Sequence, residues 1–325
     1  MKILITGATG ACGGALTRYF AERNHEIIAC GRMKTPPTNL AKIATYYQAD
    51  IQKEHKLPEA DVCIHTAAFA DDKATERDMY IPNVVGTENV AKATAKFKKF
   101  IHISSSSVYL PENNPIPENL AGQQNNSMLS PYGKTKLEAE KKLQAINNHE
   151  ACFILRPRAF YGVGDCVILP RLFKLVKNNK LQYPGKMEIN ISMTHYHNLA
   201  NAIECCLNSE KKGTHIYNVA DSQSYLLIEV MRESTSAIYK TQLPEKQIPL
   251  ALLKFMALFK IGGITPLLVR SFTKNMVLDI TKITKELNYS PKINLTSQMP
   301  ELLLWIEKIG GIEVLKKGEH QLAWA

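Results

Sequence analysis

One turn near the start constrains this chain more than anything else in it. Thr6-Gly7-Ala8-Thr9-Gly10-Ala11-Cys12-Gly13-Gly14 joins an apolar strand pattern, Lys2–Thr6, to a helical pattern, Gly13–Arg23. Glycines at 7, 10 and 13 permit a tight turn, a close backbone approach to a ligand, and close packing of helix on strand. Backbone N–H groups from Thr9, Gly10, Ala11, Cys12 and Gly13 then present a positive helix end to an anion such as a pyrophosphate. A glycine triplet alone is a weak signal, but between a strand and a helix it is specific.

The residues that follow repeat the same alternation. Strand patterns at Glu26–Cys30, Val62–His65, Phe100–Ser104 and Cys152–Arg156 are separated by helical patterns at Met79–Ala95 and Pro131–Asn147. Such alternation predicts an α/β fold with a doubly wound parallel sheet. The strands are continuous apolar runs, which fits burial on both faces. His215–Ala220 reads as a returning strand, and beyond Asp221 the pattern is mainly helical, with prolines marking breaks.

Composition narrows the function classes. The chain has 325 residues, 45% hydrophobic and 22% charged, which excludes a disordered or collagen-like chain. Lys plus Arg is 40 and Asp plus Glu is 30, a net charge of 40 − 30 = +10. This favours anionic small molecules or an acidic surface, or reflects a solubility bias. The basic residues form no compact patch with aromatics, so nucleic-acid binding is a poor fit. Lys96, Lys98 and Lys99 read as a solvated helix end. Seven cysteines without CxxC spacing read as free thiols in a reducing, cytoplasmic compartment. His195 and His197 have no matching carboxylate or cysteine pair, so no metal site is expected.

The apolar run at the start is too short for a signal peptide, and no uninterrupted apolar stretch of ~18 residues predicts a transmembrane helix. The greasiest segment, Ile248–Val269, is broken by Lys254, Lys260, Gly262, Gly263 and Pro266. Helical core is the favoured reading. A lid that grazes a membrane, with Lys254 and Lys260 snorkelling, is the other. Trp305 reads as core and Trp324 as part of a frayed tail.

Two further patterns carry chemistry. After the second strand pattern come Arg32 and Lys34 with no acid, which favours a 2′-phosphate, hence NADP over NAD. Asp50, with Ile51 beside it, can accept from an adenine amino group or cap a helix. Tyr132-Gly133-Lys134-Thr135-Lys136 places Tyr132 and Lys136 on one helix face. A free phenol has a pKa of ~10, and a nearby ammonium together with a positive nicotinamide favours its phenolate. Tyr132 could then move a proton at a substrate oxygen while Lys136 binds a nicotinamide ribose. The serine run 104–107 ends a strand at the ligand crevice of a parallel sheet and can hold the same oxygen.

These residues together resemble the extended short-chain dehydrogenase/reductase family. TGATGACGG (6–14), ADI (49–51), VCIHTAA (62–68), NVVGT (83–87), HISSSSVY (102–109), YGKTK (132–136) and LRPRAFYGVGD (155–165) carry the resemblance. It implies a Rossmann domain, 1–165 and 193–222, and a smaller substrate lobe, 166–192 and 223–325. It also implies that Ala67 and Ala68 line the cofactor and that Ser105, Tyr132 and Lys136 are catalytic. Asn83 matches a recurrent family position, which reads more readily as a helix cap than as a catalytic group. Ser106, Arg158 and Tyr161 are candidate substrate contacts. A homodimer is the family's habit.

Two branches of the family compete. One is the nucleotide-sugar epimerases; the other resembles 3β-hydroxysteroid dehydrogenases and ketone reductases. Ala159, where sugar-nucleotide members carry Asn, favours the second, as does Ser106-Ser107 where 4,6-dehydratases carry acids. The expectation is a secondary alcohol–ketone oxidoreductase acting on a hydrophobic substrate, with an epimerase as the alternative. A non-catalytic dinucleotide sensor is a further reading, which the intact Ser105, Tyr132 and Lys136 oppose.

Overall fold

The computed structural model describes residues 1–146, 148–259 and 261–325. The expected helix end at Asn147, and Lys260, lie outside the described residues.

Seven parallel strands form the central sheet: β1 (Lys2–Thr6), β2 (Glu26–Gly31), β3 (Thr45–Gln48), β4 (Val62–His65), β5 (Lys99–Ile103), β6 (Ala151–Pro157) and β7 (Gly213–Val219). Their order is β7-β6-β5-β4-β1-β2-β3. The chain winds outward from β1 through β2 to β3, then returns to β4 on the other side of β1. Helices α1 (Ala11–Ala21), α2 (Gly86–Ala93), α3 (Pro131–Ile146) and α4 (Tyr196–Asn208) cover the sheet.

Alternate residues of one strand feed opposite faces. Ile3 and Ile5 pack with Leu16 and Phe20 of α1 and Leu199 of α4. Leu4 between them packs with Val90 of α2 and Leu143 of α3. Helices on both faces explain why the strands are apolar throughout. A third cluster, including Leu169, Phe173, Ile228, Met231, Leu302 and Trp305, gathers much of the chain after β6.

Local expectations fail where tertiary contacts intervene. The expected helix over Met79–Ala95 is interrupted by a π-helical turn, Ile81–Val85, because Pro82 has no N–H to donate. Lys99 is not a solvated helix end. Its ammonium donates to the Cys206, Leu207 and Ser209 carbonyls at 3.0, 2.5 and 2.6 Å and so caps α4. The apolar segment 248–269 is core on one side only. Leu253, Ala257 and Val269 are buried, whereas Leu252, Phe255 and Leu258 are exposed.

Candidate active site

The crevice lies where the strand order reverses, at the carboxyl ends of β1 and β4. Gly7 turns there with φ +72°, and a Cβ on it would stand 2.7 Å from the Ala67 backbone nitrogen. A Cβ on Gly13 would stand 2.3 Å from the Gly7 carbonyl oxygen, so α1 approaches the turn as closely as the glycine spacing predicts. Gly10 caps α1 without any side-chain hydrogen bond, which leaves the helix end to a ligand. Gly7, Thr9, Gly10, Ala11 and Cys12 keep partial exposure while Gly13 is buried behind them. This lining fits a pyrophosphate.

The other cofactor candidates surround this turn. Ala67 and the exposed Ala68 follow β4. Arg32 is exposed just beyond β2. The Asp50 carboxylate accepts from the Gln52 N–H at 3.2 Å, so it closes a turn and caps no helix. Ile51 lies against Gly86, where an added Cβ would be 2.9 Å from its Cδ1.

Trp324 corrects the expectation of a frayed tail. It is buried, its indole N–H donates to the Ala8 carbonyl at 3.1 Å, and the Asn39 amide donates to the Trp324 carbonyl at 3.0 Å. The Arg18 guanidinium lies 5.0 Å from its ring centroid. A ring that buries its apolar body and satisfies its one donor has reason to be ordered.

The Ser–Tyr–Lys group comes from β5 and α3. Ser130 caps α3 by accepting from the Gly133 N–H at 3.0 Å. A Cβ on Gly133 would be 2.1 Å from the Ser107 carbonyl oxygen, so the helix start rests directly on the serine turn. Tyr132 is half-buried and Lys136 is buried. The Lys136 ammonium donates to the Ile103 carbonyl at 2.7 Å and lies 3.2 Å from His102 Nε2. Burial, opposed by Glu140 and the Cys12 thiol, brings the Lys136 pKa down to about 8. Burial also pushes the Cys12 thiol up to about 12.

The protein's own groups, apart from any nicotinamide charge, favour the phenol over the phenolate. Burial first, and then the nearby Cys12, raise the Tyr132 pKa above its ordinary value. Lys136 is held toward Ile103 and His102 and does not offset that desolvation. These protein groups alone therefore favour the protonated phenol.

The other candidates divide. The Ser105 hydroxyl donates to Ser107 Oγ at 3.0 Å and accepts from the Ser107 N–H at 3.1 Å, capping a short 3₁₀ turn. Ser106 is buried. Tyr161 has no exposed surface, and its hydroxyl donates to Asp221 at 2.7 Å, so it holds the scaffold and does not reach the cleft. Arg158 leaves β6 with a buried Nε that has no partner, and burial brings its pKa down to about 10.

Three residues behind the site did more than the sequence suggested. Glu140 continues the Tyr132–Lys136 helix face one turn further, a spacing that could have flagged it. It accepts from Ser104 and pairs with Arg156 at 2.5 Å, both side chains being almost fully buried. Arg156 also donates to the Tyr109 hydroxyl at 2.7 Å, and that hydroxyl donates to Asn218 at 2.8 Å. Asn83 is not a helix cap. Its amide joins Phe69 to Thr135 and ties the π turn to α3.

A family model described as the NAD-dependent epimerase/dehydratase family matches residues 3–220. The chain belongs to that family. It is an enzyme of the NAD-dependent dehydrogenase, reductase and epimerase type that the family comprises. Among family relatives, a 2-alkyl-3-oxoalkanoate reductase of Stenotrophomonas maltophilia is 30% identical over 62% of this chain and 64% of its own length. A UDP-glucose 4-epimerase of Vibrio cholerae is 27% identical over 89% of this chain and 90% of its own. The fold matches that of UDP-glucuronic acid 4-epimerase from Bacillus cereus, solved with NAD. The TM-score is 0.76 at 21% identity, covering 95% of this chain and 99% of that one.

Proposed function

We propose that this family member interconverts a ketone and a secondary alcohol. The observation that carries the reading is the placement of Tyr132, half-buried at the start of a helix that rests on the serine turn, its hydroxyl without a hydrogen bond among the described residues; burial also raises its pKa above the ordinary value. A group held as an acid suits protonation of the oxygen formed from a ketone. Tyr132 would donate that proton, Ser105 would orient the same oxygen, and Lys136 would hold the nicotinamide ribose. The nicotinamide, when bound, would supply the hydride. Gly7, Thr9, Gly10, Ala11, Cys12 and Gly13 would receive the pyrophosphate, Asp50 and Ile51 the adenine, and Ala67 and Ala68 the nicotinamide side. Arg32 would favour NADP by pairing with its 2′-phosphate.

The substrate would enter from the lobe formed by 166–192 and 223–325. Ala159 packs its methyl against the apolar cluster of that region, which supports a carbon-rich ligand. Arg158, desolvated and with an unpartnered Nε, is placed to take an anionic group on it. The name of the 2-alkyl-3-oxoalkanoate reductase agrees with such a ligand, a ketone that carries a carboxylate.

Epimerisation of a nucleotide sugar is the second reading, supported by the UDP-glucose 4-epimerase that matches 89% of this chain. Calorimetric titration of UDP and UDP-sugars into protein saturated with NAD or NADP separates the two. Ketone reduction predicts no UDP binding, turnover of 3-oxo acids with NADPH, and a loss of roughly 10²–10⁴ in kcat for Tyr132→Phe with cofactor affinity kept. Micromolar UDP binding and no ketone turnover would overturn the reading.

A further inference from the structure

Helix α5 (Leu250–Leu258) and the short helix α6 (Pro266–Arg270) form a hairpin that the reaction does not explain. The inner side of α5 is ordinary core, with Leu253 and Ala257 against Val269. The outer side is apolar as well. Leu252, Phe255 and Leu258 are 48%, 56% and 75% exposed, and Phe259 just beyond the helix is 60% exposed. Ile261, in the turn that follows, and Leu268 of α6 are also exposed, and the Phe255 and Phe259 rings meet at 5.0 Å. Single exposed leucines need no explanation, but large apolar side chains left exposed along one whole side of a helix and its end mark an interaction surface. A helix apolar all round belongs in an apolar medium.

Charge identifies the medium. Residues 249–278 contain no Asp or Glu, but they contain Lys254, Lys260, Arg270 and Lys274. Lys254 is exposed beside the apolar face and forms no ion pair among the described residues. The whole chain carries +10. A two-fold pairing of this face with a second copy would bring like charges together. An anionic bilayer meets both needs: hydrocarbon for the phenylalanines and leucines, and phosphate for the lysines.

We propose that the outer face of α5, with Phe259, Ile261 and Leu268, seats this protein on an anionic phospholipid surface. The placement has a consequence for access. Arg270 of α6 donates to the Pro111 carbonyl at 3.0 Å and pairs with Glu112 at 2.7 Å, on the loop that follows the Ser105–Tyr109 turn. A bilayer under the hairpin would lie next to that loop, where a hydrophobic ligand could pass without crossing water. The membrane seat itself does not depend on the reaction proposed above.

Flotation with vesicles tests it. Vesicles of phosphatidylcholine alone are compared with vesicles containing about one-third phosphatidylglycerol. The expected result is at least ~10-fold more protein on the anionic vesicles, reversed by high salt. The double substitution Leu258→Glu, Phe259→Glu should abolish binding while thermal unfolding and NAD affinity stay unchanged. Should that variant fail to fold, Lys254→Glu serves, with an expected several-fold loss on anionic vesicles only. Equal binding to both vesicle types, or none, overturns the proposal. So does sedimentation showing a lipid-free dimer that the double substitution dissociates, because the face would then cover a second copy.

Discussion

The indole N–H of Trp324 donates to the carbonyl of Ala8, 3.1 Å away and inside the glycine turn. The ring also lies against Gly14, where an added Cβ would be 3.0 Å from the indole nitrogen. The last segment of the chain therefore buttresses the back of the turn proposed to hold the cofactor.

That contact separates two costs. Trp324→Phe keeps most of the buried ring and removes the donor, so the expected loss in stability is about 1 kcal/mol. Trp324→Ala removes the ring as well and should cost ~3–5 kcal/mol. Both should weaken NAD binding, because Ala8 lies between Gly7 and Thr9. Denaturant unfolding followed by NAD titration checks the order. Unfolding midpoints equal to wild type for both variants would refute it.

The Glu140–Arg156 pair yields a second expectation. Both groups are almost fully buried, and Arg156 ties them to Tyr109. Removing one partner leaves a charge with no counter-charge, at ~3–5 kcal/mol, while a well-packed apolar pair can be nearly neutral. Glu140→Leu should therefore be severely destabilised, and Glu140→Leu with Arg156→Met should recover much of the loss. A double-mutant cycle in urea measures this. Simple additivity of the two single losses would show that the pair is not coupled.

The sheet was legible because its signal is local. Strands such as Val62–His65 and Lys2–Thr6 stand where their apolar runs place them, since burial on both faces keeps their interiors apolar without interruption. The glycine turn and the Tyr132–Lys136 spacing were legible for the same reason: each is a short backbone requirement. What the sequence hid depends on distant partners. Trp324 meets Ala8 across 316 positions, and Lys99 finds the end of α4 across more than a hundred. Tyr132 shows the electrostatic version of that limit. The sequence supplies the lysine four residues on, but not the burial that outweighs it or the Ile103 carbonyl that takes the ammonium. The two-sided apolarity of Leu250–Leu258 was visible, yet only the fold shows which side is left uncovered.

Lys136 gives the last expectation, and its sign is fixed by burial. Its pKa is brought down to about 8 in the folded protein, while an unfolded lysine titrates near ~10.4. Between those values the folded chain binds fewer protons than the unfolded one, so this group's contribution to stability rises with pH across that window. Below about pH 8 the ammonium is present and desolvated, and its burial cost applies in full. Relative to Lys136→Met, the wild type should therefore gain stability as pH rises from about 8 toward 10. Activity should move the other way. If the ammonium is what holds the ribose, kcat/KM falls as Lys136 loses its proton above about pH 8. Lys136→Arg keeps its charge throughout and should lose that basic limb, whatever the drop in its absolute rate. His102 stays out of this range, because burial and the adjacent Lys136 charge hold its pKa well below that of a free imidazole. A pH–rate profile with the same basic limb in Lys136→Arg as in the wild type would assign the titration to another group.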